Sequence, residues 1–264
     1  DDGPRILEAA ARVGVSIGCA PDTVLGPGIQ AARRLLDEGE IGQVVGAATC
    51  MATQGHERWH PDPDFYYQKG GGPMFDMGPY YLTALITLMG PVRRVSGSHR
   101  MTRSKRMISS QPRMGESIAV EVSTHVVGVL DFVSGAISTV VTSFDMPPGR
   151  LPKIEVFGTE GTISVPDPNT FHGPLKLMRP GQDVLEEISV DQSEVGRGLG
   201  VVEMAAALHE GRKCRANAEI AAYVLDIMHA IHDASDTGHH IDLQSSCERP
   251  EPMPPIKNGV GLYV

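Results

Sequence analysis

Residues 117–145, SIAVEVSTHVVGVLDFVSGAISTVVTSFD, decide the fold class. They hold two β-type runs, 117–133 and 136–145, and Ser134-Gly135 between them is a tight-turn signal that predicts an antiparallel hairpin. Working outward, further strand candidates cover 92–101 on one side and 153–158, 161–165, 174–178 and 184–190 on the other. Thr159-Glu160-Gly161 marks a second hairpin turn. Helical signals flank this block. Before it come 5–13 (RILEAAARV), Gly28–Glu38 (GIQAARRLLDE, stopped by Gly39 and Gly42) and 74–89, which ends at Gly90-Pro91. After it come 199–211 and 217–236, then a Pro-rich tail. Val15–Ala20 reads as a short buried strand broken by Pro21, and Gln43–Thr53 as another β-type run. The order predicts an α+β fold with a large, mostly antiparallel open sheet and helices on one face. The other face needs a cover, and a second copy in a homodimer or homotetramer would supply it.

Composition narrows the partners. A formal charge of −9 disfavours nucleic acid and anionic membranes, both of which reward a basic face. The one dense cationic stretch, Arg100 to Arg113, reads as a solvated loop. Cys19, Cys50, Cys214 and Cys247 lie far apart without CxxC spacing, which argues against a zinc knuckle and fits a reducing cytoplasm. No run of about 18 apolar residues is present, so no membrane span is predicted.

Four constellations could carry chemistry. His56-Glu57-Arg58-Trp59-His60 matches the zinc-hydrolase pattern H-E-x-x-H, in which two histidines on one helical face bind one metal. Here Gly55 precedes it and Pro61-Asp62-Pro63 follows, a poor helical setting. Gly26-Pro27-Gly28-Ile29-Gln30-Ala31 satisfies G-x-G-x-x-A but follows no strand directly, and reads as a loop entering a helix. In Gly70–Tyr81, GGGPMFDMGPYY, a helix from Pro73 would put Asp76 and Tyr80 at i and i+4, with Thr83 and Thr87 extending the stripe. Asp76 could equally cap a helix starting near Met77. Lastly, Trp59, His60, Phe65, Tyr66 and Tyr67 gather aromatic faces and imidazoles that suit a sugar ring; a proline-rich loop pinned by aromatic packing is the alternative. His125 and the His239-His240 pair read as structural or surface residues.

Taken together these segments resemble the Gfo/Idh/MocA oxidoreductases. The resemblance rests on residues 11–42, ARVGVSIGCAPDTVLGPGIQAARRLLDEGEIG, on GGGPMFDMGPYY and on the turn Val156–Ile163, VFGTEGTI. It implies that residues 1–22 are a helix-strand remnant of a Rossmann domain and 23–264 a substrate-binding and oligomerisation domain. The family's glycine-rich fingerprint and Glu-Lys-Pro motif have no counterpart here, which implies a nucleotide domain largely outside this chain and no turnover by the chain alone. What the resemblance implies for function is hydride transfer between NAD or NADP and a sugar or cyclic polyol. The family's catalytic His falls on Tyr80. A phenol takes a proton near neutrality only if its reference value of about 10 is lowered, so His60 or His56 is the alternative base. Asp76 would orient the base, His56, Trp59, Tyr66 and Tyr67 would line the sugar pocket, and Pro21, Gly71 and Gly72 would border the cofactor. No metal is expected. A zinc hydrolase through His56 and His60, and a non-catalytic oligomerisation domain, are the competing readings.

Overall fold

The computed structural model describes residues 2–147, 149–190 and 195–254. Helices α1 (Asp2–Val13) and α2 (Pro27–Asp37) lead to strand β1 (Val44–Ala52). A loop with two short 3-10 turns, His56–Arg58 and Asp64–Tyr66, then enters helix α3 (Pro73–Met89). The strand block follows: β2 (Val92–Arg100), β3 (Lys105–Met107), β4 (Ser117–Ala119), β5 (His125–Phe132), β6 (Ile137–Ser143), β7 (Ile154–Gly158), β8 (Thr162–Val165), β9 (Leu175–Met178) and β10 (Glu186–Ile188). Helices α4 (Leu199–Glu210) and α5 (Ala218–Thr237) and strand β11 (Ile241–Asp242) close the order.

Nine strands form one sheet in the order β10-β9-β8-β7-β1-β6-β5-β2-β11, and β3-β4 form a separate ribbon. Neighbours are antiparallel except β1 and β6. Side chains alternate across the pleat. One face carries Val95, Leu130, Ser138, Ala47, Val156, Ile163 and Leu177, all buried. Helices α5, α3 and α2 cover it, α5 lying on β2, α3 on β1, β5 and β6, and α2 on β8 and β9. The opposite face carries Val127, Val129 and Val141, half-buried, and Ile137 and Phe157, exposed. The predicted α+β sheet with helices on one face is therefore what the chain builds.

Helix α3 is apolar nearly all round, and its residues Tyr81 to Leu88 are buried. Such a helix is a core element, and each fully buried Leu or Ile contributes ~1.5–3 kcal/mol relative to exposure. Helix α5 reaches the sheet through a glycine: a Cβ on Gly97 would lie 2.4 Å from the Ile231 carbonyl oxygen, so backbone packs on backbone there. The tail, described as far as Pro254, straps α2, with Met253 N–H donating to Gln30 Oε1 at 2.7 Å and Arg33 Nη1 donating to the Pro250 carbonyl at 3.0 Å.

Three expectations need correction. Residues 15–20 are largely exposed and form no strand; a single bridge joins Gly18 to Asn217, because no neighbouring strand among the described residues offers a ladder. The run 117–133 is two strands, since the donors between them turn elsewhere: Val120 N–H to Ser104 O, Glu121 N–H to Tyr67 O and Thr124 N–H to Arg100 O. The cationic stretch 100–113 is no simple solvated loop. It contains β3, whose Arg106 is buried, and it straps the loop between β1 and α3. No helix among the described residues is long and apolar enough to cross a membrane.

Candidate active site

Gly72 precedes α3 at φ +89°, a left-handed conformation that L side chains rarely adopt, and Pro73 opens the helix. Asp76 is therefore inside the first turn rather than at the cap, and its amide donates to the Gly72 carbonyl at 3.0 Å. Its carboxylate is free to leave the helix. It accepts a 2.9 Å hydrogen bond from His56 Nε2, which the loop brings in from twenty residues upstream.

The other ring nitrogen of His56 settles the tautomer. The Trp59 indole N–H donates to His56 Nδ1 at 3.2 Å, so Nδ1 carries the lone pair and the neutral ring keeps its proton on Nε2, facing Asp76. The ring is largely buried, between Tyr66 (centroids 4.3 Å apart) and Phe144 (4.6 Å). Burial raises the Tyr66 phenol above its ordinary value, and the nearby Asp76 charge adds to this, so Tyr66 stays protonated as a hydrogen-bond donor. Trp59 is 60% exposed and Phe65 53%. Trp59, His60, Phe65 and Tyr66 form a chain of edge-on and tilted rings beside His56.

His60 is differently placed. Its Nδ1 accepts the Asp62 N–H at 3.1 Å, which leaves the proton of the neutral ring on Nε2. In this arrangement it can donate to a hydroxyl through Nε2, and it could take a proton only if Nδ1 released the Asp62 amide. Tyr80, one turn beyond Asp76 on α3, is half-buried, and no hydrogen bond among the described residues engages its phenol. Further along the stripe, Thr87 turns back to the Thr83 carbonyl at 2.7 Å and takes no part in the site.

Tyr67 is the clearest correction. It is fully buried, with no surface for a sugar to meet. Its hydroxyl donates to Glu57 and accepts the His56 amide at 3.1 Å. Glu57 is 7% exposed and pairs with Arg106 Nη1 at 2.6 Å, while Arg106 Nη2 binds Asp145 and the Phe144 carbonyl. Burial works to lower the Arg106 pKa, but Tyr67, Glu57 and Asp145 outweigh it and hold it raised. Burial and the bond to Glu57 push the Tyr67 phenol well above its ordinary range. This buried network fixes the backbone from which His56 projects. Nothing in the residue pattern points to it, because Arg106 lies within a stretch that reads as a solvated loop.

In this network the H-E-x-x-H side chains do not converge. His56 faces Asp76, Glu57 is locked to Arg106, and His60 is turned to Asp62, three different partners. Among the described residues no group of three or more His, Cys, Asp and Glu side chains is placed to share a metal ion. Gly71 and Gly72 have a steric reason of their own. A Cβ on Gly71 would sit 2.4 Å from the Phe65 carbonyl oxygen, and one on Gly72 2.9 Å from that of Ser123. Pro21, after a cis peptide bond, precedes the turn Thr23–Leu25 that packs on α3. Ring faces, the Tyr66 phenol and a carboxylate-held imidazole thus meet at the N-terminal end of α3, with Tyr80 one turn further along the helix.

Residues 29–164, just over half of the chain, match the family described as the GFO/IDH/MocA C-terminal domain. The chain belongs to this family. Among its relatives, D-xylose 1-dehydrogenase (NADP(+)) 2 of Haloferax volcanii is 26% identical over 212 residues. The match takes in 77% of this chain and spans only 58% of the length of that relative. Solved structures share the fold. An NAD binding oxidoreductase from Klebsiella pneumoniae superposes with a TM-score of 0.73 at 20% identity, over 92% of this chain and 70% of that one. An aldose-aldose oxidoreductase from Caulobacter crescentus complexed with glycerol gives 0.69 at 19%, over 92% and 68%.

Proposed function

We propose that this GFO/IDH/MocA chain is the sugar-facing part of an NAD- or NADP-dependent sugar or polyol oxidoreductase, with Asp76 and His56 as its proton-handling pair. The observation that carries this is the 2.9 Å bond from His56 Nε2 to Asp76, with Trp59 on Nδ1. The sugar dehydrogenase among its relatives supports the substrate class. The nicotinamide, when bound, accepts or returns the hydride at the substrate carbon. Donor chemistry fits that demand, since oxidising an alcohol requires a group that takes the hydroxyl proton. Pro21, Gly71 and Gly72 would border the cofactor, and residues 1–22 would belong to its domain; α1 buries only Ala10, which suits a role outside the sheet domain.

The chain's own residues would act in order. A sugar stacks on the exposed Trp59 and draws its indole away from His56 Nδ1. That nitrogen then takes the hydroxyl proton, and the Asp76 carboxylate stabilises the imidazolium through Nε2–H. Tyr66 and Tyr80 donate to neighbouring hydroxyls, with His60 at the rim. Tyr80 binds in this scheme and does not take the proton. The open sheet face would pair with a second copy, and the four free cysteines suit a reducing cytoplasm.

The test has two parts. Trp59 is the only tryptophan, so titrating the protein with D-xylose and with inositols should move its fluorescence saturably. In the full-length protein supplied with NAD or NADP, Asp76→Asn and His56→Gln should each lower kcat by about 10²-fold or more while Tyr80→Phe chiefly raises KM. Full turnover in His56→Gln would remove His56 from the proton path, and loss of kcat in Tyr80→Phe would restore the tyrosine.

A further inference from the structure

Behind the turn that carries His56, a cavity of about 260 Å³ is lined by Gln54, Arg58, Thr102, Arg103, Arg106 and Asp145, with Pro147 at its edge. Three guanidinium groups meet one carboxylate there, in a protein whose net charge is −9. Arg106 satisfies both terminal nitrogens on Glu57, Gln54 O, Phe144 O and Asp145, yet its buried Nε has no hydrogen-bond partner. That nitrogen is shut off from the cavity, so Arg106 contributes charge to the wall, and the donors open to a ligand are those of Arg58 and Arg103. Arg103 is exposed, and no ion pair or hydrogen bond among the described residues engages its side chain. Arg58 reaches only a neutral acceptor, Gln54 Oε1 at 2.5 Å. The flanking Arg100 and Lys105 are also exposed, and no ion pair among the described residues takes up either charge. Arg113, by contrast, meets Asp62, Asp64 and Glu116.

We propose that this cavity is an oxyanion site, taking a phosphate or sulfate group between Arg58 and Arg103, with the buried Arg106 charge behind them. Planar guanidinium forks suit tetrahedral oxyanions, and the charge-assisted bonds they form are about twice as strong as neutral ones. The volume falls just short of the ~300–1,000 Å³ that encloses whole small molecules, so the cavity fits an anionic group or a free anion rather than an entire sugar. The group reaches it either as inorganic phosphate or as the phosphoryl end of a sugar phosphate. Neither Asp76 nor His56 lines the cavity, and the inference does not rest on the oxidoreductase reading.

The experiment is thermal unfolding and calorimetric titration with inorganic phosphate, against sodium chloride of equal ionic strength to remove general screening. The expected result is saturable binding with a rise in Tm on the order of 3 °C at high occupancy, absent with chloride. In the double variant Arg58→Gln/Arg103→Gln the affinity should fall by about tenfold or more. Both side chains are exposed, so the variant should match the parent Tm in chloride. A hexose phosphate that binds more tightly than phosphate would place the group on a sugar; equal affinity would make free oxyanion the ligand. Equal effects of phosphate and chloride, or undiminished phosphate binding in the double variant, would overturn the proposal.

Discussion

A single residue, Glu57, shows how a motif misleads when its surroundings are invisible. In H-E-x-x-H it is the water-activating base; in this protein it is a structural anion, buried against Arg106 and Tyr67. Removing one partner of a buried pair leaves the other charge uncompensated, a cost of ~3–5 kcal/mol in general. Arg106 keeps Asp145 here, so Glu57→Gln should cost about 2–3 kcal/mol, just below that range. Urea denaturation would measure it, and a loss below about 1 kcal/mol would mean that the network contributes little. The same variant should broaden Trp59 emission, because the His56 amide loses its anchored tyrosine acceptor. Arg113→Ala provides the contrast, since its carboxylate partners sit at the surface and a far smaller change is expected. Asp76 was legible from its spacing to Tyr80. His56 as its partner was not, because nothing in a one-dimensional pattern relates a loop histidine to a helix twenty residues later.

At the scale of elements, helix α5 packs closely on strands β2 and β5. Gly97 and Gly128 form a notch beneath Ile231, whose carbonyl oxygen and side chain would be 2.4 Å and 3.0 Å from Cβ atoms placed there. Gly97→Ala should therefore destabilise by about 1–3 kcal/mol through overpacking against backbone that cannot yield. Ser98→Ala, on an exposed position of the same strand, should be near neutral. If both substitutions are equally mild, the helix has room to lift and the close approach carries no energy. The elements themselves were readable to within a few residues wherever periodicity or turn chemistry spoke. The hairpin at Ser134-Gly135 forms as expected, with Asp131 opposite Ile137. Strands β3 and β11, of three and two residues, escaped because so short a run has no period to detect.

Across the whole molecule, two properties follow from how faces are covered. His232 of α5 lies between Phe75 of α3, stacked at 5.2 Å, and His99 of β2, 5.0 Å away, with His229 and Asp236 on its own helix. Burial, reinforced by the neighbouring imidazoles His99 and His229, lowers its pKa below the ordinary 6.5 despite opposing help from Met228 O and Asp236. The unfolded chain then binds the proton more readily than the folded one, so stability is full above about pH 6.5 and declines as pH falls below it. Tm should drop between neutral and mildly acidic buffer, and His232→Phe should flatten that drop; an unchanged slope would assign the acid sensitivity to other groups. The second property concerns the uncovered sheet face. Val129→Lys, at its half-buried centre, should convert a dimer or tetramer into a monomer in sedimentation. A parent protein that already sediments as a monomer would sink the pairing.

The sequence alone determined the α+β class, the strand block, helix α3 with Asp76 and Tyr80 on one stripe, and the clustering of rings in the loop before it. These rest on local properties: turn residues, apolar periodicity and the spacing of side chains along one element. Tertiary structure alone decided that His56 rather than His60 meets Asp76, that Tyr67 and Glu57 belong to the core, and that a cationic run buries Arg106. Those outcomes depend on which nitrogen of a ring is already occupied and which charges are removed from water together. Both arise only when segments far apart in the chain are packed against each other.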